Sequence, residues 1–314
     1  MTNAEFAAGV ERAYRRIRAD IVRTPLAHSP ALSRASGTDV FVKWECDQRT
    51  GSFKLRGAFN ALRALPAARR RAGIVSASTG NHGLAMSEAC RTLGLRLELH
   101  VPATITLVKK RKLASSGADV IVDGDSCEAA EAGARAAADA GRRVFISPYN
   151  DIDVIFGQGT IGLEILEDVS DAAAVLVPVG GGGLAAGIAG YLRARAHEVE
   201  VWGVEPANSA FLRASFAAGR LVEIEEKPTL ADAVAGGIEP GSITFGLCRR
   251  ALAGLVAVSE RSIRKALDAI AGAHGRTIEG AGALPLAGLI TERRRFRGRK
   301  IVLVVSGRNA APAA

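Results

Sequence analysis

Aromatic residues and long apolar runs are both scarce in this sequence of 314 residues. Phe, Trp and Tyr together make up 5% of the chain, so the core has to be built mainly from Val, Leu, Ile and Ala. No apolar run reaches the roughly 18 residues that a membrane-spanning helix needs, and the charged stretch 1–20 lacks the apolar block of a signal peptide. We therefore expect a globular protein with no membrane partner, and its length favours about two domains.

Cysteine is scarce as well, and its spacing excludes the usual cysteine-based sites. The four cysteines are far apart and form no CxxC pair: Cys46, Cys90, Cys127 and Cys248. Such spacing is typical of buried thiols in a reducing compartment, not of a disulfide framework or a zinc site. His82 and His274 also lack a second His or Cys at ligand spacing. We expect a cytoplasmic protein without a metal site.

Acidic residues are outnumbered by basic ones, which gives a formal charge of +9 and a pI near 9.8. A nucleic-acid partner has to be considered for such a chain. However, the basic runs 69–71, 109–112 and 293–295 lie beside Ala and Leu at helical spacing, without interleaved aromatic residues on which bases could stack. We interpret them as solvated helix faces and predict no nucleic-acid partner, while the positive field would favour an acidic ligand.

Short apolar, β-branched segments alternate with Ala-rich segments of helical period. The predicted strands are 39–45, 73–78, 96–102, 118–124, 143–147, 173–180, 199–206 and 300–307, with helical segments such as 126–141 and 183–196 between them. Near-continuous apolar strands separated by helices predict parallel sheets covered on both faces, and hence an α/β fold. Such sheets bind ligands at the C-terminal ends of their strands, where the glycine-rich segments fall. Only 310–314 looks like a loose tail.

The segment TGSFKLRGAFN (50–60) places Lys54 among small and apolar residues. A lysine in an apolar pocket has a lowered pKa and becomes an amine nucleophile that can form a Schiff base. The alternative is a solvated lysine at the start of a surface helix. This segment alone favours the surface lysine.

Three further segments follow predicted strands. SASTGNHG (76–83) offers hydroxyls and an amide where a helix begins, which suits a carboxylate as well as it suits a simple helix cap. PVGGGGLAAG (178–187) has four consecutive glycines before a helix, which favours a phosphate held by backbone amides. It matches neither GxGxxG nor a Walker loop. VVSGRN (304–309) places Ser306 at a strand end, where a turn serine is the ordinary interpretation.

A nucleophilic lysine, an anion loop, a phosphate site and a hydroxyl at a strand end are together what a pyridoxal phosphate enzyme needs. The chain resembles the fold-type II pyridoxal-phosphate enzymes, which are similar to the tryptophan synthase β-subunit, and within them the threonine/serine dehydratase and serine racemase branch. The resemblance covers nearly the whole chain through TGSFKLRGA, STGNHG, SPYNDIDVIFGQGTIGLEI, PVGGGGL, GVEP, TIEGAGA and VVSGRN, in this order. No regulatory domain is expected after Asn309, as in the short catabolic type.

The resemblance implies a role for each matching residue. Lys54 would form the Schiff base and act as the catalytic base, Phe53 would pack on the cofactor ring, and Asn81 would bind its ring hydroxyl. Gly180, Gly181, Gly182 and Gly183 would hold the phosphate, and Ser306 would face the pyridine nitrogen. The substrate carboxylate would lie in the loop of Ser78, Thr79, Gly80 and His82. The resemblance also implies a large domain (1–72 and 147–314), a small mobile domain (73–146) and a homodimer.

The implied reaction is β-elimination of a 3-hydroxy amino acid, such as L-threonine or L-serine, to a 2-oxo acid and ammonia. Three departures from the family pattern bear on the substrate: Arg308 in SGRN, Ala233 in TLADAVAGG and Gly280 in TIEGAGA. With these three departures the sequence resembles the hydroxyectoine-utilisation dehydratases, whose substrate would be a hydroxylated diamino acid. Amino-acid racemisation is a further alternative. A nucleotide-binding oxidoreductase is disfavoured by the missing GxGxxG and its acidic partner.

Overall fold

The computed structural model describes residues 1–309 and contains two β-sheets flanked by helices. The strands are β1 Leu26–His28, β2 Asp39–Trp44, β3 Ile74–Ala77, β4 Leu97–Val101, β5 Asp119–Val122, β6 Val144–Phe145, β7 Ala174–Pro178, β8 Glu200–Pro206, β9 Gly254–Val258 and β10 Lys300–Val305. The α-helices are α1 Asn3–Ile17, α2 Pro30–Ser36, α3 Lys54–Ala64, α4 Ala67–Arg71, α5 Asn81–Leu93, α6 Leu107–Ala114, α7 Cys127–Ala140, α8 Ile152–Asp168, α9 Gly183–Arg195, α10 Phe211–Ala218, α11 Ile243–Ala251, α12 Glu260–His274, α13 Gly280–Thr291 and α14 Arg293–Phe296. The predicted tail, 310–314, lies outside the described residues.

The larger sheet has six strands in the order β1-β2-β10-β7-β8-β9. Only β1 runs antiparallel to its neighbour; the other pairs are parallel, with Lys300 of β10 beside Asp39 of β2 and Ile301 beside Ala174 of β7. All five residues of β7 are buried, as expected for a central strand covered on both faces. The edge strands β1 and β9 are not predicted from the sequence: β1 has only three residues, whereas β9 is a five-residue apolar run, GLVAV, that the prediction missed.

The smaller sheet has four parallel strands in the order β5-β4-β3-β6, all drawn from the continuous stretch 74–145. Chain on both sides of this stretch forms the larger sheet. The two sheets and their surrounding helices confirm the predicted α/β class with parallel-rich sheets. Among the helices of residues 1–309, none is long and apolar enough to cross a membrane.

Glycines allow α3, α8 and α9 to pack closely, which fixes the position of the start of α3. A Cβ atom on Gly157 of α8 would lie 2.6 Å from the Arg56 carbonyl oxygen, and one on Gly159 would lie 3.0 Å from that of Gly187. The Gly157 distance is one that real Cβ atoms essentially never show, and the Gly159 distance is tighter than most real Cβ contacts. The glycines of the segment GQGTIG (157–162) therefore serve helix packing.

A buried cluster of four charged side chains anchors α3. Arg56 donates hydrogen bonds of 2.8 Å to both Glu45 and Glu164, and Lys43 Nζ donates one of 2.6 Å to Glu164. All four side chains have 0% exposure. Burial alone would lower the pKa of Arg56, but the two carboxylates outweigh burial and raise it. The second charge of the TGSFKLRGA motif is therefore structural.

Candidate active site

Strand ends and helix starts from both sheets line a cavity of about 800 Å³. The ends of β7 and β10 contribute Pro178 and Ser306, and the end of β3 contributes Ala77. This is the edge at which parallel α/β sheets bind ligands. The structure places every site residue named from the sequence in the cavity wall: Phe53, Lys54, Ser78, Thr79, Gly80, Asn81, His82, Gly180, Gly181, Gly182, Gly183 and Ser306.

Lys54 is the first residue of α3, and it is not a solvated surface lysine. It is half-buried and lines the cavity, with its Nζ donating to the Pro148 carbonyl oxygen at 2.8 Å. The amine lies 5.3 Å from the centre of the Phe53 ring. Burial lowers the pKa of Lys54 to about 8, against the opposing charge of Glu279. The amine is thus available as a nucleophile near neutral pH.

The four glycines 180–183 connect β7 to α9 and pass close to the cavity walls. A Cβ atom on Gly181 would collide with the Tyr149 ring, and one on Gly180 would lie 3.0 Å from the Val234 backbone. Gly182 has φ +85°, a conformation that favours glycine. In the described chain no side chain caps α9, and its first turn has no acidic residue. Its first backbone amides are therefore suited to an anion.

The loop 78–80 joins β3 to α5, and His82 lies in the first turn of that helix. Ser76 Oγ donates to the Ile146 carbonyl oxygen at 2.8 Å, so it accepts a hydrogen bond from His82 Nε2 at 3.0 Å. Burial, together with the charge of Lys54, lowers the pKa of His82 to about 3. Its imidazole is therefore neutral, so the donors for an anion here are the loop hydroxyls and the backbone amides.

Ser306 and Arg308 differ in orientation although they are two residues apart. Ser306 is buried and lines the cavity. The Arg308 side chain is half exposed, and its guanidinium lies 3.5 Å from Asp47 Oδ1. Arg308 therefore faces solvent.

The other two departures from the family pattern, Gly280 and Ala233, belong to segments that contact each other. A Cβ atom on Gly280 would collide with the carbonyl group of Leu230, which lies in the same segment as Ala233.

Four cavity residues have contacts that the sequence analysis did not predict. Tyr149 covers Gly181 and accepts a hydrogen bond from the Glu239 backbone N–H at 3.0 Å. Glu279 accepts hydrogen bonds from Asn81 Nδ2, and Asn309 Nδ2 donates a hydrogen bond to Asn81 Oδ1. Tyr149, Glu279 and Asn309 belong to the motifs SPYN, TIEGAGA and SGRN, so their motif membership was the available signal. Glu239 belongs to no such motif.

Two charge pairs connect helices of the smaller sheet to the segment 232–239. Arg135 of α7 lies 2.7 Å from Glu239, and Lys109 of α6 lies 3.7 Å from Asp232. The prediction that the run 109–112 lies on a solvated face is therefore wrong for Lys109, which lines the cavity. It is also incomplete for Lys112, whose Nζ donates to Asn309 Oδ1 at 3.1 Å.

Cys127 also corrects an expectation. Cys46, Cys90 and Cys248 are buried free thiols, as predicted, but Cys127 is exposed. It is the first residue of α7 and lines the cavity. The first turn of α7 is exposed and lines the cavity, so no packed side chains cover this thiol.

The fold and the cavity are those of a fold-type II pyridoxal-phosphate enzyme. Residues 17–307 match the family described as pyridoxal-phosphate dependent enzyme, and the chain belongs to this family. The L-threonine ammonia-lyase of Thermotoga maritima is 39% identical over 301 residues, which cover 96% of this chain and 74% of that protein. The predicted family and the predicted cofactor, pyridoxal 5′-phosphate, are confirmed.

Solved structures agree with this assignment. The processed threonine deaminase isoform 2 of Solanum lycopersicum superposes with a TM-score of 0.92 at 30% identity, covering 99% of this chain and 90% of that one. Maize serine racemase gives a TM-score of 0.93 at 28% identity, covering 98% and 94%. The chain is therefore similar to both a deaminase and a racemase of the same fold.

The cavity residues fit pyridoxal phosphate. Lys54 provides an amine in the cavity wall with a lowered pKa. The segment 180–183 provides uncapped backbone amides for a phosphate group, with no acidic side chain in the first turn of α9 to repel it. Ser306 provides a neutral hydroxyl at the end of a buried strand. An amine, an anion site and a polar group for the ring are the binding requirements of this cofactor.

Proposed function

We propose that the chain catalyses β-elimination of a 3-hydroxy amino acid, such as L-threonine or L-serine, to give a 2-oxo acid and ammonia. The observation that supports this best is the cavity that contains both Lys54, with its lowered pKa, and the uncapped glycine segment 180–183. The relatives named as threonine ammonia-lyase and threonine deaminase support the same reaction.

The proposed roles of the cavity residues follow from their chemistry. Pyridoxal phosphate, when bound, supplies an electron sink that acidifies the α-proton of an amino acid. Phe53, Asn81 and Ser306 would hold the ring by packing and hydrogen bonds, and the segment 180–183 would hold the phosphate. The loop 78–82 would bind the substrate carboxylate through its hydroxyls and backbone amides.

Lys54 is the proposed base. Its Nζ takes the α-proton, and the bond between the β-carbon and the hydroxyl oxygen breaks with its electron pair on oxygen. The oxygen takes up a proton and leaves as water, and hydrolysis of the remaining enamine gives the 2-oxo acid and ammonia. Burial favours the uncharged amine, which is the form that can accept the α-proton.

Closure of the cavity is the proposed function of residues 73–146, as a small mobile domain against a large domain formed by 1–72 and 147–314. The pairs Arg135–Glu239 and Lys109–Asp232 join these two parts of the chain and would stabilise a closed state that excludes water. Structures with and without a substrate analogue test this, and an unchanged relative position of the two parts would contradict it.

Elimination is favoured over racemisation by two residues. Racemisation needs a second acid or base opposite Lys54, and the resemblance aligns Thr79 with the serine that serves this role in the racemase branch. Thr79 keeps the hydroxyl but is stiffer at χ1. The divalent-cation site of the racemase branch would need Glu205, but the oxygens of Glu205 already accept hydrogen bonds from the backbone N–H groups of Leu212 and Arg213 at 2.8 and 2.9 Å. The second acidic ligand of that site aligns with Phe211, which cannot bind a cation.

Product analysis tests this reaction. L-Serine and L-threonine are incubated with the enzyme, with and without a chelator, while chiral analysis and 2-oxo acid release are followed together. We expect 2-oxo acid and ammonia as the main products and no effect of the chelator. D-Serine that forms faster than pyruvate, or activity lost to the chelator and restored by magnesium, would overturn the assignment.

A hydroxylated diamino acid is the second candidate substrate, because the cavity is acidic although the chain is basic. The carboxylate side chains in its wall are Glu128, Glu131, Glu223, Asp232, Glu239 and Glu279. The cationic ones are Lys54, Lys109 and Arg135. This excess of carboxylates favours a substrate with a second amino group. The expectation of an acidic ligand, based on net charge alone, does not account for this local charge.

A substrate panel separates the two candidates. The panel contains L-serine, L-threonine and a 3-hydroxy-2,4-diamino acid, each scored for kcat/KM in ammonia release. If the acidic wall selects the substrate, the diamino acid has the highest value, and Glu131→Gln reduces that value more than the value for L-threonine. Equal effects of Glu131→Gln on both substrates would contradict this alternative.

The homodimer and the cytoplasmic location remain predictions based on the resemblance and on the unpaired cysteines. The four cysteines are free thiols in the described structure, which is consistent with a reducing compartment. Light scattering of the purified holoenzyme and fractionation of the source cells would test the two predictions separately.

A further inference from the structure

Glu279 is a buried carboxyl group in the cavity to which the proposed elimination reaction assigns no individual role. It directly precedes α13, is 3% exposed, and lines the cavity. Its side chain makes no capping hydrogen bond to α13. Burial raises the pKa of Glu279 to about 7. A carboxyl group kept in such a setting needs a partner, because burying it without one is unfavourable.

The partner of Glu279 is the side-chain amide of Asn81. Asn81 Nδ2 lies 2.9 Å from one carboxyl oxygen and 3.0 Å from the other. The adjoining backbone is shaped around this contact, because a Cβ atom on Gly307 would collide with the Glu279 carboxyl group. The glycine of the SGRN segment thus leaves room for Glu279 beside Asn81.

A second contact fixes which way the Asn81 amide faces. Asn309 Nδ2 donates to the Thr50 carbonyl oxygen at 2.7 Å and to Asn81 Oδ1 at 2.7 Å. Because a carbonyl oxygen only accepts, Asn309 must present its nitrogen, and Asn81 must then present its oxygen to Asn309. The Asn81 nitrogen consequently faces Glu279, whose ionised carboxylate also only accepts.

One N–H of Asn81 remains for a ligand in this arrangement. A single N–H directed between the two carboxyl oxygens accounts for both contacts with Glu279, and the second N–H diverges from it. Within residues 1–309, Asn81 Nδ2 has hydrogen bonds only to Glu279. Asn81 lines the cavity, and the proposed function gives it the ring hydroxyl of the cofactor.

We propose that Glu279 is a positioning residue that holds the Asn81 amide with an N–H, and not its oxygen, toward the cofactor ring hydroxyl. This inference rests on the proposed function, since it assumes that Asn81 contacts this hydroxyl. A hydrogen-bond donor at that oxygen favours its ionised form. Glu279 therefore sets both the affinity for the cofactor and the pH at which the bound cofactor changes its absorbance.

The test compares Glu279→Gln with a matched control, Glu205→Gln. Glu205 is another buried carboxyl group whose pKa burial raises to about 7, but it accepts backbone amides at the start of α10. The readouts are the Kd for pyridoxal phosphate and the pH midpoint of the bound cofactor's absorbance. We expect Glu279→Gln to weaken cofactor binding roughly tenfold, as for loss of a hydrogen bond to a charged group, and to shift the midpoint. Glu205→Gln should leave both readouts unchanged.

A double-mutant cycle shows whether Glu279 acts through Asn81. In an Asn81→Ala background, Glu279→Gln should cause no further loss of cofactor affinity, because the amide that it positions is gone. Asn309→Ala removes the other contact at a partly exposed position, so it provides a second folded variant, and it should also weaken cofactor binding. Unchanged Kd and midpoint in Glu279→Gln, or an equal loss with and without Asn81, would overturn the proposal.

These readouts are independent of turnover. If the wild-type enzyme releases no ammonia from any 3-hydroxy amino acid, the proposed reaction fails while the cofactor measurements still decide the role of Glu279. If ammonia is released but Glu279→Gln binds cofactor as the wild type does, only the positioning role fails.

Discussion

Replacing Arg56 by Met is the perturbation for which the structure predicts the largest loss of stability. Arg56 donates to Glu45 and Glu164, and both carboxylates are fully buried. In Arg56→Met, Glu164 keeps its contact with Lys43, but Glu45 is left with the Thr24 hydroxyl and no cation. Methionine fills a similar volume, so the change removes charge and hydrogen bonds more than packing.

The expected loss is about 3–5 kcal/mol in the free energy of unfolding, the usual cost of removing one partner from a buried ion pair. The matched control is Arg63→Met on the same helix, where Arg63 is 33% exposed and pairs with Asp20 at 2.6 Å. Because that pair is partly exposed, its removal should cost about 1 kcal/mol or less. The contrast isolates burial as the cause.

Urea unfolding of the apoenzyme, followed by the fluorescence of the buried Trp44 and Trp202, gives both values. A second substitution, Glu45→Gln, should restore part of the stability lost in Arg56→Met, because it neutralises the one carboxylate that is left without a cation. A loss below about 1 kcal/mol in Arg56→Met, or a further loss on adding Glu45→Gln, would refute the argument.

Three further predictions concern the cavity. The rate of cofactor attachment to the apoenzyme should rise roughly tenfold per pH unit up to about pH 8 and then level off, because only the unprotonated amine of Lys54 attacks. Stopped-flow absorbance measures this rate. A rise that continued to pH 10 would be inconsistent with the lowered pKa of Lys54. Gly181→Ala should abolish cofactor retention on dialysis without unfolding the protein, whereas Gly272→Ala, where a Cβ atom meets open space, should retain it. Glu239→Gln should raise the substrate KM about two- to fivefold at low salt and less at high salt, because its partly exposed pair with Arg135 is screened; a salt-independent change would contradict that origin.

Local patterns in the sequence are sufficient to predict most of the fold. The β-branched apolar runs predict the strands of both sheets except the two edge strands of the larger sheet, the three-residue β1 and the apolar β9. The motif glycines and Lys54 follow strand ends, and parallel sheets bring such ends to one edge. For this reason the residues named from the sequence lie around a single cavity.

The contacts that refine the site depend on residues distant in sequence. Nothing in STGNHG indicates that Asn81 meets Glu279, because the pair forms only when the two sheets are placed side by side. The charge of Lys109 suggests solvent, yet Asp232 lies opposite it across the cavity. The sequence of a helix predicts its polar face, but it does not predict what stands opposite that face.

The central position of β10 has a consequence for synthesis of the chain. β10 lies between β2 and β7, and it is C-terminal to every other described strand. β2 leaves the ribosome long before its neighbour β10 has been synthesised. During this time β1 and β2 have an unpaired strand edge, whereas the stretch 74–145 can already form its own complete sheet. Unpaired apolar strands of this kind are the segments that aggregate or bind chaperones. The smaller sheet should therefore mature first during translation, and the completed cavity should appear only after Ser306 has left the ribosome.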